Sequence, residues 1–177
     1  WNDGHSETRL ISRVVASDGY FRDSYEYLVG EFQNPDDITS VLNRLVYIDD
    51  KTIWFSDEND PGSIIADNFI VVPSENTITA VDELNGNLLI FTKTETFFYQ
   101  PSAGTAKVSL GRLIKVSGNV GCLSPNALTR MEGVLVWVSS SGVYTTSNGL
   151  EINELSKGIN SLFRLGRIRN PLTSYYQ

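Results

Sequence analysis

The sequence predicts an all-β protein made of β-propeller blades, each a four-stranded antiparallel meander. Three observations predict this fold: a hairpin that recurs three times, a strand-like run before each hairpin, and another run after it. Of the 177 residues, 41% are hydrophobic and 11% aromatic, which is sufficient for a buried core. Aromatic and β-branched residues lead the apolar set, and this preference favours sheet over helix.

The recurring hairpin carries the fold prediction. Residues 44–56 (RLVYIDDKTIWFS), 87–99 (NLLIFTKTETFFY) and 134–146 (VLVWVSSSGVYTT) align without gaps. The eleventh column is aromatic in all three segments, at Trp54, Phe97 and Tyr144. The polar turns within the hairpins fall at 49–50, 92–93 and 139–140. A four-stranded unit that repeats about every 40–50 residues is typical of propeller blades.

Further strand-like runs flank each hairpin. Those upstream span 38–41, 78–81 and 128–131, and those downstream span 68–72, 107–116 and 151–156. In the second unit we expect three extra residues in the turn at Asn85-Gly86, a strong hairpin signal. Short turns require antiparallel neighbours, so each unit is predicted to be a meander. A sandwich or an open barrel also has short strands, but neither predicts a four-strand period with aligned aromatic residues.

The repeat divides the chain into five parts. We expect a remnant of an earlier blade at 1–37, blades at 38–77, 78–125 and 126–158, and a connector with the start of a next blade at 159–177. Strand-like stretches at 10–16 and 23–32 support the first part, and residues 159–164 are predicted to form one helical turn. A closed propeller of six to eight blades needs roughly 250–350 residues. The chain is therefore expected to cover only part of a propeller.

The second strand of each unit is almost continuously apolar, as LVYI, LLIF and LVWV. Such runs predict burial on both faces of the strand, because strands exposed on one face usually alternate apolar and polar residues. Neighbouring blades would supply the two covering surfaces. The aromatic residue of the eleventh column is expected to pack into the same interface.

Charge and rare residues exclude several classes of function. The 14 basic and 21 acidic residues give a net charge of −7, which argues against a protein that wraps nucleic acid. Cys122 is the only cysteine and His5 the only histidine, so an intrachain disulfide, a cysteine-based metal site and a multi-histidine site are excluded. No stretch approaches about 18 consecutive apolar residues, and no signal peptide is recognised.

Acidic residues offer candidate sites that are better interpreted as turns. The stretch 57–60, followed by Pro61-Gly62, has oxygen ligands suited to Ca²⁺, but the ligand spacing of an EF-hand is absent. Residues 82–83 and 85–87 are expected to form the hairpin turn of the second unit. Glycoside chemistry would need paired carboxylates, and residues 49–50 and 82–83 belong to separate turns.

The remaining candidates are likewise interpreted as structural. His5 lies near the N-terminus without a nucleophile elbow, and Cys122 is expected to be a small buried hydrophobe. Three arginines, Arg164, Arg167 and Arg169, could bind an anion but are typical of a solvated linker. Five glycines fall at strand margins: Gly111, Gly118, Gly121, Gly142 and Gly149. We therefore predict no catalytic, cofactor-binding or metal-binding residue, no cofactor and no enzymatic activity.

Three stretches resemble a known family. They are 43–63 (NRLVYIDDKTIWFSDENDPGS), 78–100 (ITAVDELNGNLLIFTKTETFFYQ) and 118–163, in which GCLSP precedes a unit and LSKGI follows it. They resemble β-propeller proteins of bacteriophage tails, of the tail nozzle and tail-stabilisation type found in short-tailed phages. The resemblance covers most of residues 43–163.

The resemblance implies a non-enzymatic virion structural protein of the tail, assembled in the cytoplasm of the bacterial host. Such proteins form rings, commonly sixfold, around the DNA exit path, and they contact adaptor and fibre proteins. Phage DNA would pass during ejection without specific binding, and this segment would not insert into a membrane. The excess of acidic residues is compatible with a conduit for DNA, because a negative surface does not bind the phosphates of the passing duplex.

A carbohydrate-binding or carbohydrate-active propeller is the alternative, because this fold hosts many functions. Sialidase-like propellers repeat a Ser-x-Asp-x-Gly-x-x-Trp turn, and residues 139–142 lack its aspartate. An interaction propeller of the WD type is a third option, although its Trp-Asp and Gly-His pairs are missing at the expected places.

Overall fold

The protein is an all-β chain whose strands are joined mainly by short turns. The computed structural model describes residues 9–15, 21–27, 37–102 and 108–159. The strands are β1 (Arg9–Val15), β2 (Phe21–Tyr27), β3 (Asp37–Val41), β4 (Arg44–Asp49), β5 (Thr52–Asp57), β6 (Asp60–Val71), β7 (Ile78–Leu84), β8 (Asn87–Thr92), β9 (Thr96–Gln100), β10 (Arg112–Ser117), β11 (Leu128–Met131), β12 (Val134–Val138), β13 (Val143–Thr146) and β14 (Asn153–Glu154). Two 3₁₀ turns, Val108–Leu110 and Pro125–Ala127, complete the described elements.

Twelve of these strands form three four-stranded antiparallel meanders, in which every strand pairs with its neighbour in sequence. We call them blade 1 (β3–β6), blade 2 (β7–β10) and blade 3 (β11–β14). Strands β1 and β2 form a separate antiparallel pair, and β2 lies close to β6. The predicted fold class, propeller-type blades of four antiparallel strands, is confirmed. The expected helical turn at 159–164 and the expected start of a next blade within 159–177 lie outside the described residues, apart from Ile159.

The first hairpin of each blade closes in the same way. Its turn consists of two residues that both have positive φ, namely Leu42-Asn43, Asn85-Gly86 and Glu132-Gly133. This is the conformation of a type I′ turn, whose twist matches that of the flanking strands. The blades therefore share a turn geometry that only the Asn-Gly pair of blade 2 signals in its sequence.

One turn prediction is wrong. Asp82 and Glu83 do not lie in the turn of blade 2 but extend strand β7, where they pair with Leu89 and Leu88. The strand continues because Leu84 is buried and because the type I′ turn needs only two residues. Both carboxylates are therefore held on a regular strand.

The fourth strands also differ from their predicted ranges. β6 begins eight residues earlier than the predicted 68, and register shifts interrupt its pairing with β5. β10 begins only at Arg112, because the 3₁₀ turn Val108–Leu110 precedes it. β14 is two residues long, since the side chain of Asn148 turns the chain before it by accepting backbone N–H groups from Leu150 and Glu151.

The blades stack face to face around two apolar cores. The core between blades 1 and 2 contains Val41, Val46, Ile48, Ile53, Phe55, Val72, Ile78, Val81, Leu88, Ile90, Phe97 and Tyr99. The core between blades 2 and 3 contains Ala80, Leu84, Leu89, Phe91, Phe98, Cys122, Ala127, Leu135, Trp137, Val138 and Tyr144. Blade 2 contributes alternate side chains to each core, as the two faces of a pleated sheet allow.

Two-sided burial of the second strand holds for β8, in which Leu88 to Phe91 are all fully buried. It does not hold to the same degree for β4 and β12. Leu45 and Tyr47 of β4, and Val134 and Val136 of β12, are only half-buried. The reason is that, among the described strands, blade 2 alone has a four-stranded sheet against each face.

The blades approach one another most closely at their first strands. β3 lies against β7, and the 3₁₀ turn that precedes β11 also lies against β7. The described fourth strands make no comparably extensive contact with one another. This fanning is the arrangement expected for blades around a common axis.

The connection between blades 2 and 3 is bonded to both sheets. The Cys122 N–H donates to the Thr92 carbonyl at 3.0 Å, and the Leu123 N–H donates to the Val138 carbonyl at 3.1 Å. Gly121 makes the first contact possible, because a Cβ at this position would lie 2.1 Å from the Thr92 oxygen. We call residues 120–123 the blade connector.

Candidate functional site

An open cleft lies between the outer strands of blades 2 and 3. Its volume is about 470 Å³, within the size range of small-ligand sites. It is lined by Val116, Ser117, Val120, Tyr144, Leu150, Ile152, Asn153, Glu154 and Lys157. The cleft follows from the fanning of the blades, which separates β10 from β13 and β14.

The chemistry of the cleft is mixed. Its aliphatic side chains come from both blades, and its polar groups include one ammonium group and one carboxylate, at Lys157 and Glu154. The Tyr144 hydroxyl is hydrogen-bonded to the Ser141 hydroxyl at 2.8 Å, and the Tyr144 ring is mostly buried. The ring therefore offers little surface for stacking a ligand.

A charged cluster joins the first strands of blades 2 and 3. The Arg130 guanidinium donates to Asp82 Oδ1 at 2.5 Å and to Glu83 Oε2 at 3.0 Å. All three side chains are partly exposed, and Glu132 follows at the end of β11. We call Asp82, Glu83 and Arg130 the inter-blade ion cluster. It lies on the strands that approach the blade axis.

A second charged cluster surrounds Glu95, between β8 and β9. Its carboxylate accepts hydrogen bonds from the Lys115 ammonium and the Ser74 hydroxyl. These two bonds, chiefly that from Lys115, lower the pKa of Glu95 below its usual value of 4.5. The cluster ties the connection between blades 1 and 2 to the far end of blade 2.

The acidic stretch 57–60 forms the turn between β5 and β6 and is engaged in structural contacts. Asp57 accepts a hydrogen bond from the Ser63 hydroxyl at 2.5 Å, and Glu58 pairs with the buried Arg44 at 3.7 Å. Arg44 also donates to the Ser56 carbonyl. Within the described ranges, no group of three or more potential ligands is arranged to hold a metal ion.

The carboxylates considered for glycoside chemistry lie on opposite ends of the blades. The Asp50 carbonyl accepts the Ile78 N–H at the start of β7, whereas Asp82 lies four residues further along that strand. Four residues of strand correspond to roughly 13 Å. The backbones of the two pairs are thus far apart along the strand, whereas the paired carboxyl groups of glycosidases lie roughly 5–9.5 Å from each other. The structure does not bring the two pairs together.

The other predicted positions are structural where they are described. Cys122 is fully buried and forms no disulfide bond, and its thiol lies 3.2 Å from the Ser124 carbonyl oxygen. Burial raises the pKa of the Tyr99 hydroxyl, which accepts the Gly111 N–H at 3.0 Å. His5 and the arginines at 164, 167 and 169 lie outside the described residues.

Sequence reasoning missed both charged clusters. Arg130 had no signal of its own, because it is a single basic residue in the four-residue strand β11. Its partners had been placed in a turn, where they would not face another blade. Lys115 gave no signal either, because it lies within β10 at a cross-strand position to the aromatic Phe97. Only the three-dimensional arrangement of the strands reveals these pairings.

In comparisons with known proteins, no family model and no curated protein matches the chain. No helix in the described part of the chain has the length and hydropathy needed to cross a membrane.

Proposed function

We propose that the protein is a non-enzymatic structural component of a bacteriophage tail, belonging to the nozzle or tail tube around the DNA exit path. The resemblance of residues 43–163 to phage tail propellers motivates this function. The observation that carries it is that the repeated positions of the three blades serve packing. The role that follows is structural: similar blades pack side by side and form the wall of the DNA conduit.

The packing positions recur with the same geometry in each blade. The fourth and eleventh columns of the repeat are cross-strand neighbours, as Tyr47–Trp54, Ile90–Phe97 and Trp137–Tyr144. In blades 2 and 3 these pairs face the preceding blade, within the two apolar cores. Large cross-strand side-chain pairs stabilise a sheet. A repeat whose shared positions serve packing is more typical of a structural protein than of an enzyme.

The charge balance is compatible with the proposed role. The chain carries a net charge of −7, and the inter-blade ion cluster has two carboxylates against one guanidinium. A surface of this sign does not displace the counterions of DNA, so the duplex can pass without being held. In this role the chain assembles into a ring, with sixfold symmetry as the first model to test, and contacts adaptor and fibre proteins.

Electron microscopy of the protein in its native particle tests this function. Antibodies raised against the chain should label the distal tail of intact virions, and averaged images should show a ring around an axial channel. Purified protein should bind duplex DNA weakly and without sequence preference, even at low salt. A monodisperse single protein that never associates with virions would refute the proposal.

The cleft between blades 2 and 3 motivates one alternative, a carbohydrate-binding or carbohydrate-active propeller. Its size and its polar groups are those of a site that could receive a sugar. A glycan array, followed by Asn153→Ala and Lys157→Ala variants, distinguishes the two functions. Binding that both variants abolish would favour the alternative, and a blank array would favour the structural role.

A further inference from the structure

The chain contains two Asn-Gly pairs, Asn85-Gly86 and Asn148-Gly149, in different surroundings. Asn-Gly pairs are chemically labile, because the glycine nitrogen can attack the asparagine side-chain carbon with no Cβ in the way. The first pair forms the turn between β7 and β8, and the second lies in the loop between β13 and β14. Both asparagines are exposed, so exposure alone does not distinguish them.

At the first pair, the nucleophile has a neighbouring base. The Gly86 N–H donates to Glu83 Oε1 at 2.5 Å, so a carboxylate is positioned to accept its proton. Within the described part of the chain, the Asn85 side-chain amide makes one long hydrogen bond, from Nδ2 to the Ser147 carbonyl at 3.3 Å. The amide can therefore reorient at low cost.

At the second pair, both reacting groups are held. The Asn148 Oδ1 accepts the N–H groups of Leu150 and Glu151, each at 2.9 Å. The Gly149 nitrogen is buried and donates to the Thr146 hydroxyl at 2.9 Å. A hydroxyl is a far weaker base than a carboxylate. The Phe98 ring also crowds Gly149.

We propose that Asn85 is a site of spontaneous deamidation and that Asn148 is protected by the fold. The Gly86 nitrogen forms a bond to Asn85 Cγ while its proton passes to the Glu83 carboxylate. The bond from Cγ to Nδ2 then breaks, and the side-chain nitrogen leaves as ammonia after taking up a proton. Water hydrolyses the resulting cyclic imide at either carbonyl, which yields aspartate or isoaspartate at position 85.

The reaction would change the contact between blades 2 and 3. It adds a negative charge close to Asp82 and Glu83, and it removes the donor that reaches the Ser147 carbonyl. Isoaspartate would also add a backbone atom to a two-residue turn, which a type I′ geometry cannot absorb. Deamidated protein would thus accumulate with time, and the change would lie at the contact between blades 2 and 3.

Peptide mapping of the aged chain tests the proposal. The folded protein is incubated at mildly alkaline pH, digested with trypsin at successive times, and analysed by mass spectrometry that resolves deamidation at each asparagine. Asn85 should react at least about tenfold faster than Asn148, given the extra hydrogen bonds that hold the second site. In urea, where both are simple Asn-Gly pairs, the two rates should converge. Equal rates in the folded chain would overturn the proposal.

Two variants test the roles that the proposal gives to Glu83 and Thr146. Glu83→Gln keeps an acceptor for the Gly86 N–H but removes the base, so it should slow the reaction at Asn85 in the folded chain and leave the rate in urea unchanged. Thr146→Val frees the Gly149 nitrogen and should speed the reaction at Asn148. An unchanged Asn85 rate in Glu83→Gln would refute the role of the carboxylate as the base.

Discussion

The second strands of blades 2 and 3 carry similar apolar runs but bury them differently. In β8, Leu88 to Phe91 are all fully buried, whereas in β12 full burial is confined to Leu135 and Trp137. The two strands have the same place in their meanders, and only their neighbours differ. An apolar run therefore shows that a strand can be buried on both faces. Whether both faces are buried depends on the sheets that stack against it.

The contrast continues across the outer face of blade 3. There, Val136 is flanked by Thr129 and Thr145 in the cross-strand row. The corresponding row of blade 2 places Leu89 beside Phe98, and Phe98 beside Ile114. The face of each blade that points to the preceding blade keeps its apolar character through the repeat. The opposite face becomes partly polar in blade 3.

The largest expected effect concerns the blade connector, which joins the two blades being compared. Gly121→Ala would place a Cβ 2.1 Å from the Thr92 carbonyl oxygen and 2.6 Å from the backbone of residues 93 and 94. Because these atoms belong to the backbone, the connector must shift and lose its bonds to blade 2. We expect a loss of about 3 kcal/mol in the free energy of unfolding, measured by urea titration.

Gly118→Ala is the matched control for this substitution. Its Cβ would meet only the Lys115 side chain, at 3.5 Å, so stability should change by less than about 0.5 kcal/mol. Similar losses from both substitutions would contradict the account of the connector.

A matched pair of valines measures the difference between a covered and an open face. Val46 and Val136 occupy the same column of the repeat, and Val46 is fully buried between blades whereas Val136 is half-buried. Val46→Ala should cost about 2–3 kcal/mol, and Val136→Ala about 1 kcal/mol or less. Chemical denaturation of the two variants checks this. Equal costs would mean that the outer face of blade 3 is covered in solution.

The Glu95 cluster predicts a loss of stability in acid. The Lys115 and Ser74 hydrogen bonds lower the pKa of Glu95 in the folded chain, so its ionised form stabilises the fold above pH 4.5. This contribution is lost as the pH falls through the lowered pKa. The stability difference between the protein and Glu95→Gln should therefore shrink as the pH falls below about 4.5. A difference that grows in acid would show that the cluster is wrongly described.

The smallest effect is expected at the inter-blade ion cluster. Arg130 is partly exposed, so Arg130→Ala should cost less than about 1 kcal/mol despite its two carboxylate partners. Thermal unfolding at increasing salt checks this, because screening should reduce the difference between the variant and the protein. A cost that salt does not change would assign the role of Arg130 to packing rather than charge.

Much of the fold could be predicted from the sequence because the repeat compares the chain with itself. Alignment of the hairpins placed Trp54, Phe97 and Tyr144 in one column, and the structure places each on the third strand of its blade. The position of Asp82 and Glu83 could not be predicted in this way, because polar residues before Asn-Gly are as typical of a turn as of a strand end. Their ion-pair partner, Arg130, lies on another strand, so no local pattern signals the contact.

The candidate sites were less predictable. The partners of Arg130 lie 47 and 48 positions away in the sequence, so no local spacing signals the cluster. The cleft likewise arises from the angle between two sheets and has no motif of its own. Both features depend on how blades stack, which the hairpin pattern implies only in outline.

Double-mutant cycles across the two interfaces test the stacking most directly. The Phe91 and Trp137 rings lie 5.0 Å apart between blades 2 and 3, and the Phe55 and Tyr99 rings lie 5.7 Å apart between blades 1 and 2. Leucine substitutions within each pair should show a coupling of about 0.5–1.5 kcal/mol. Phe55 and Trp137 lie in different cores, so their substitutions should add to within about 0.5 kcal/mol. Additive effects within the pairs, or strong coupling between Phe55 and Trp137, would contradict a middle blade packed between two others.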